Sequence, residues 1–215
     1  MTLQKKVKTE IAWLPSIDST NEEIKRKAAE GAAEGLVIAA DMQTAGKGRR
    51  GRAWQSPAGK NLYFSILLRP EVKPDKASMV TLLMAVAVQK AAAAVSSTET
   101  LIKWPNDVIM HGKKITGILT EMYLKGEEID FVVIGTGVNV KAQTFPEELV
   151  NASDIETESG RVISRKELLE VIVDEFFVLY EEYVKTGNLR FVKETYEKAL
   201  VNKDREVLIL DLSLI

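Results

Sequence analysis

The chain has 215 residues, with 29 Lys and Arg against 31 Asp and Glu for a formal net charge of −2; 46 % of residues are hydrophobic and 28 % charged. That length and balance suit one sizeable globular domain with a real core, and they argue against a broad basic surface for nucleic acid. There is no cysteine and one histidine, His111, which excludes disulfides, thiolate nucleophiles and cysteine-zinc sites and leaves little for a Ser-His-Asp triad or a multi-histidine metal site.

The N-terminal MTLQKKVKTE lacks the apolar run of a signal peptide. No stretch reads as a membrane span, because the small apolar run near 84–95 is broken by Gln89 and Lys90. A cytoplasmic protein without membrane contact is expected. Residues 21–29 read as a short helix that Ser19 or Thr20 caps, with Glu22 or Glu23 completing a capping box. LVIAA at 36–40 reads as a buried strand. The basic loop QTAGKGRRGRAW follows, and NLYFSILL at 61–68 is a second strand. An alanine-rich helix over 75–95 suits close packing on a sheet. LIKW at 101–104 is a strand that Pro105 stops. DVIM and ITGILTEMYL form a hairpin turning at His111 and Gly112, and IDFVVIGTGVNV at 129–140 is a further strand. Ser164 with Glu167 makes a capping box for a long amphipathic helix that Gly187 ends. A helix within 188–201 and a strand at 205–215 complete the pattern. Strands cluster in the middle of the chain, which implies an α+β fold with a mixed β-sheet flanked by helices.

Four segments carry candidate chemistry. Between Gly46 and Arg52 the basic loop holds only glycines and cations: Lys47, Arg49, Arg50 and Arg52 with Gly46, Gly48 and Gly51. Like charges repel and glycine adds backbone entropy, so an anion is expected to complete this loop and order it. Glycine-freed N–H groups can wrap a phosphate, and arginine forks bind its oxygens. A solvated basic turn or a nucleic-acid patch would use the same residues. Gln43 before the loop and Trp54 after it favour a small-molecule site. In KWPND, Lys103 stands at a strand end before a turn, where it could place a point charge between a carboxylate and a phosphate. DSTN contributes Ser19, Thr20 and Asn21, which read equally as helix caps. In GTGVN and ITGIL, Gly137 and Gly117 remove side chains from a strand, either for a ligand or for close packing.

STN, QTAGKGRRGRAW…SPAGKNLYFSILLRP, KWPNDVIMHGKKITGILTE and IGTGVNV occur together in this order, and the set resembles the biotin protein ligases (biotin–[acetyl-CoA-carboxylase] ligases) over roughly 13–183. The resemblance implies a fold akin to class II aminoacyl-tRNA synthetases. It implies activation of biotin with MgATP to biotinyl-5′-AMP and transfer to one lysine of a biotin carboxyl carrier domain of a biotin-dependent carboxylase. It puts Ser19, Thr20, Asn21 and Gln43 at the biotin end, with Gly46, Lys47, Gly48 and Arg49 along the tail and the adenylate phosphate. Lys103 falls at the carboxyl–phosphate junction, and Lys103 and Arg49 are the implied catalytic groups. Arg49, Arg52, Trp54, Asn106 and Asn139 fall around the nucleotide, and Gly117 and Gly137 leave room for the ligand. ATP and Mg²⁺ are implied, with no metal-ligand set among the side chains. No DNA partner is expected, and homodimerisation is left open.

Lys47 stands where many relatives carry arginine. Residues 1–201 are expected to form the catalytic domain and 202–215 a remnant of a small C-terminal β-barrel, because about fifteen residues are too few for several strands. About a dozen residues before the matching core are too few for a DNA-binding helix-turn-helix. A lipoate ligase or octanoyltransferase, a degenerate biotin-binding protein and a nucleic-acid-binding module are the rival readings. The polar Ser/Thr/Asn/Gln set favours a ureido ring over an alkyl chain, and the slightly acidic balance opposes the nucleic-acid reading.

Overall fold

The computed structural model describes residues 6–206. Seven strands form one mixed sheet: β1 (Glu10–Leu14), β2 (Leu36–Ala40), β3 (Leu62–Leu68), β4 (Leu101–Lys103), β5 (Asp107–Met110), β6 (Lys113–Lys125) and β7 (Glu128–Val138). Their order is β1-β2-β3-β7-β6-β5-β4. β1 and β2 are parallel, and every other neighbouring pair is antiparallel. Among the described residues, five α-helices complete the fold: α1 (Thr20–Ala29), α2 (Met79–Ser96), α3 (Ile155–Ser159), α4 (Arg165–Thr186) and α5 (Lys193–Ala199).

Alternation along the strands sends two sets of side chains to opposite faces. One face carries Val37, Ala39, Phe64, Ile66, Val132 and Ile134, covered by α2 and α4 in the main core. Ala85, Ala87, Ala91 and Ala92 of α2 are buried there, and such small side chains let the helix lie close to its neighbours. The other face carries Ile38, Leu67, Phe131 and Val133, on which α1 seats Ile24 and Ala28, one turn apart. α1 covers only part of this second face. Trp54 at the end of the basic loop covers a further part, over Gly117 and Gly137, and that division positions the site.

Most expected elements are present, with several corrections. β1 and α3 were not anticipated. The helix expected over 75–95 is a 3-10 turn at Pro74–Lys76 followed by α2. By length and composition, the segment Pro74–Ser96 is apolar enough to cross a membrane, contrary to the sequence reading; its apolarity is that of a core helix, with ten residues of α2 buried. The capping box at α1 does not form. Ser19 is the N-cap but its side chain makes no capping bond, and the Thr20 N–H donates to Gln43 Oε1 at 2.8 Å instead. At α4 the Ser164 hydroxyl does accept from the Glu167 N–H, at 3.3 Å. The β5–β6 turn falls at His111 and Gly112 with φ of 45° and 80°, the left-handed pair of a type I′ hairpin. The strand expected at 205–215 lies outside the described residues from 207 onward.

Candidate functional site

One transverse row crosses the sheet. Lys103 pairs with Asp107, Asp107 with Gly117, Gly117 with Gly137 and Gly137 with Tyr63. Directly paired residues point to the same face, so Lys103 stands on the face shared with α1 and the basic loop. Between Lys103 and Tyr63 the two glycines leave a bare strip of backbone. Lys103 is exposed at the end of its short strand.

The strip is covered by Trp54. A Cβ on Gly137 would come within 2.5 Å of the indole Cε2 and Nε1, and one on Gly117 within 2.7 Å of Cζ3. The two glycines therefore leave space that the indole occupies. Lys114 lies 5.7 Å from the Trp54 ring and pairs with Asp107 at 2.7 Å. The indole Nε1 is buried with no hydrogen-bond partner. An unpaired buried donor carries a desolvation cost, so this position of Trp54 is not one in which all its polar needs are met.

The start of α1 forms a buried polar cluster. Gln43 Oε1 accepts from the Thr20 N–H at 2.8 Å and from the Thr20 hydroxyl at 3.1 Å, while Gln43 Nε2 donates to Ser56 Oγ at 2.9 Å. Ser65 Oγ lies 2.8 Å from Thr20 Oγ1 and 2.5 Å from Asn21 Oδ1. Asn21 Nδ2 donates to Glu121 Oε2 at 2.6 Å. A Cβ on Gly135 would come within 2.0 Å of Asn21 Oδ1, so that glycine admits the asparagine. Ser19, Thr20, Asn21 and Ser65 are all at most 4 % exposed. Both ends of the Asn21 amide thus face protein partners, and its role here is to hold α1 on the sheet.

The basic loop has a definite shape. Lys47 and Ala53 form an antiparallel bridge. The Trp54 N–H donates to Gly46 O at 2.9 Å, and the Gly48 N–H to Arg52 O at 2.7 Å. Arg49–Gly51 makes a single 3-10 turn in which Arg50 has φ 56°. A Cβ on Gly46 would come 2.5 Å from Trp54 O and 2.8 Å from Ser56 Oγ, so only glycine lets the two arms and the Gln43 cluster meet. Arg49 donates to Asn106 Oδ1 at 2.7 Å, and Asn106 Nδ2 donates to Ile118 O at 3.0 Å. The arginine is thereby tied to the turn that follows Lys103. Lys47 bonds Glu22 of α1. Among the described residues, Arg50, Arg52 and Lys103 make no ion pair.

Residues 13–139 match the biotin/lipoate A/B protein ligase family. The chain belongs to that family. Among curated relatives, the bifunctional ligase/repressor BirA of Bacillus spizizenii is 40 % identical over 174 residues, covering 80 % of this chain and 54 % of the relative. The biotin–[acetyl-CoA-carboxylase] ligase of Paracoccus denitrificans is 33 % identical, covering 76 % of this chain and 70 % of the relative. Among solved structures, the biotin protein ligase of Aquifex aeolicus in complex with biotin and ATP superposes with a TM-score of 0.76 at 29 % identity, covering 89 % of this chain and 78 % of that one. The chain spans about half the length of the BirA relatives, at 54 % and 55 %. The mixed sheet expected from the sequence is therefore also the ligase family's fold.

Within this family frame, Ser19, Thr20, Asn21, Gln43 and Gly46 come together at one end of the face. Gly48, Arg49 and Asn106 come together over the turn after Lys103, and Trp54, Gly117 and Gly137 come together between the two groups. Arg52 contributes its backbone carbonyl to the loop and leaves its side chain exposed. Asn139 stands apart: it is 6 % exposed, and its Nδ2 donates to Ser153 O at 3.0 Å. The sequence reading missed Ser56, Ser65, Glu121 and Lys114. A serine between apolar residues in NLYFSILL was the available sign for Ser65. Glu121 gave none, because a glutamate late in a long strand reads as solvent-facing. Glu22 reads from the sequence only as the acidic partner in a capping box.

Proposed function

We propose that this chain activates biotin with MgATP, giving biotinyl-5′-AMP and pyrophosphate, and transfers the biotinyl group to a lysine of a biotin carboxyl carrier domain. The observation that carries this reading is the row that sets Lys103 on the same face as the bare Gly117–Gly137 strip, with the cationic loop folded over it. A carboxylate attacking a phosphate must overcome repulsion between anions. Cations fixed around the junction offset that repulsion and stabilise the charge gathering on phosphorus.

In the first step a biotin carboxylate oxygen bonds to the α-phosphorus and pyrophosphate leaves. Lys103 supplies a point charge at that junction, and Arg49 supplies a fork held by Asn106. In the second step the neutral amine of the acceptor lysine attacks the acyl carbon, AMP leaves, and the amine proton passes to solvent. The Thr20–Gln43–Ser56 cluster offers the polar groups suited to a ureido ring. Trp54 must leave the glycine strip for the adenylate to lie there, and its indole can then cover the nucleotide. Mg²⁺ enters with the nucleotide substrate, because hard divalent cations of this kind commonly travel with phosphates. The relatives named above support biotin over lipoate, since the Paracoccus and Aquifex proteins carry biotin in their names.

Calorimetry with biotin and with lipoate tests substrate choice. Heat with biotin and none with lipoate supports the reading, and the reverse overturns it.

A further inference from the structure

Of the four loop cations, Lys47 is the one with an internal carboxylate partner among the described residues. It bonds Glu22 Oε1, an oxygen that also takes Lys25 Nζ at 2.9 Å. Lys25 in turn pairs with Glu121 Oε1 at 2.9 Å, and the other Glu121 oxygen takes Asn21. Alternating charges therefore run from the sheet to the loop: Glu121, Lys25, Glu22, Lys47. The inner members are partly buried, with side chains 18–28 % exposed, while Lys47 is 50 % exposed. The inner pairs are fixed by the fold, and the outermost contact is the one free to exchange. Arg49 differs, since its partner Asn106 is neutral.

We propose that Glu22 is a positioning residue that acts as an internal stand-in for the substrate carboxylate, holding Lys47 in the ligand-free protein and yielding it when the acid binds. The identity of the competing acid as biotin rests on the function proposed above; the Glu22–Lys47 latch does not. A cation already occupied by an internal anion binds an incoming one less tightly by the factor that the internal contact is worth. For a half-exposed pair this is about two- to fivefold. Lys25 and Glu121 keep Glu22 in place without taking part in the exchange.

Two measurements on the whole chain test this, with Glu22→Gln, Lys47→Met and the double variant. In the first, trypsin cleavage after Arg49, Arg50 and Arg52 is followed without ligand. Glu22→Gln is expected to cleave faster than wild type, and to have no effect when Lys47 is already Met. In the second, calorimetry reads binding of biotin and of its uncharged primary amide. Glu22→Gln should bind biotin about two- to fivefold more tightly, leave the amide unchanged, and have no effect in the Lys47→Met background. Cleavage equal to wild type overturns the latch. Tightening that persists with the amide or without Lys47 overturns the exchange. If no variant binds biotin, the function reading fails, and the cleavage rates still decide the latch.

Discussion

The indole of Trp54 lies directly on the backbone of Gly137, where a Cβ would come 2.5 Å from its Cε2 and Nε1. Gly137→Ala should therefore expel the indole, which sits at the end of a loop and can move. Stability should change by less than about 1 kcal/mol, because alanine fits a strand and only a half-buried ring is displaced. On the proposed function, adenylate formation should fall more than stability does, since the added methyl stands on the strip where that proposal lays the adenylate. Acrylamide quenching in a Trp13→Phe, Trp104→Phe background reads the exposure of Trp54. Unchanged quenching would show that the indole does not depend on the bare strip.

Lys103→Ala should leave the fold intact, because the side chain is exposed and makes no ion pair among the described residues. Loss of a charge that acts on the transition state costs a few kcal/mol, or roughly 10²–10³-fold in rate. Biotin-dependent pyrophosphate release should drop by that factor while the melting temperature stays put. A wild-type rate would remove Lys103 from the chemistry.

Asn21→Ala should act in the opposite way, on stability first. The change strips partners from Ser65 and from the half-buried Glu121 carboxylate. Ser65 keeps Thr20 and Glu121 keeps Lys25, so what is lost is two hydrogen bonds, one of them to a charged group, worth about 1–3 kcal/mol. Urea denaturation should show that loss with an unchanged m-value, and an Asp at this position should be worse, because it sets a second carboxylate against Glu121.

On the proposed function, Arg49→Gly should loosen the grip on the adenylate more than it slows its formation, since the proposed charge-assisted contact, of a kind worth roughly 1.5–3 kcal/mol, is removed. Biotinyl-AMP would then escape and acylate lysines of a bystander such as albumin. Asn106→Ala should produce a milder version of the same leak, because Asn106 holds the Arg49 fork. The readout is biotin on albumin against biotin on the carrier domain; adenylate formed with no extra albumin labelling would acquit Arg49.

The acid limb of stability should contain a contribution from Asp18. Hydrogen bonding to Arg26 is the largest influence that holds its carboxyl at about 2, below the ordinary 3.8. A carboxyl held low stabilises the folded state above its unfolded pKa and loses that contribution as pH falls through the folded value. The window is thus about pH 4 to 2, with no effect near neutrality. The side chain is 45 % exposed, so screening keeps the contribution under about 1 kcal/mol. Asp18→Asn should flatten the stability–pH curve in that window alone.

The sequence made some parts of this molecule legible and hid others for physical reasons. β2, β3 and the β5–β6 hairpin announce themselves through apolar runs and turn residues. β1 does not, because EIAWL is short, partly exposed and gains its meaning only by pairing with β2. Gly117 and Gly137 were legible as bare positions, but that they face each other, and that Trp54 fills the gap, depends on register across strands distant in sequence. Glu121 was hidden because a single charge late in a strand reads as solvent-facing, and Glu22 because it reads as a capping-box residue, until the fold joins them through Lys25.

The central claim is that Lys103, the glycine strip and the cationic loop make one adenylating centre. The most direct test is mass spectrometry of the nucleotide products after the protein is mixed with biotin and MgATP. The account predicts biotinyl-AMP and an equal amount of pyrophosphate in wild type, with both nearly absent in Lys103→Ala at an unchanged melting temperature. No biotinyl-AMP from a folded wild-type protein that binds both substrates, or equal amounts from the two proteins, would contradict it.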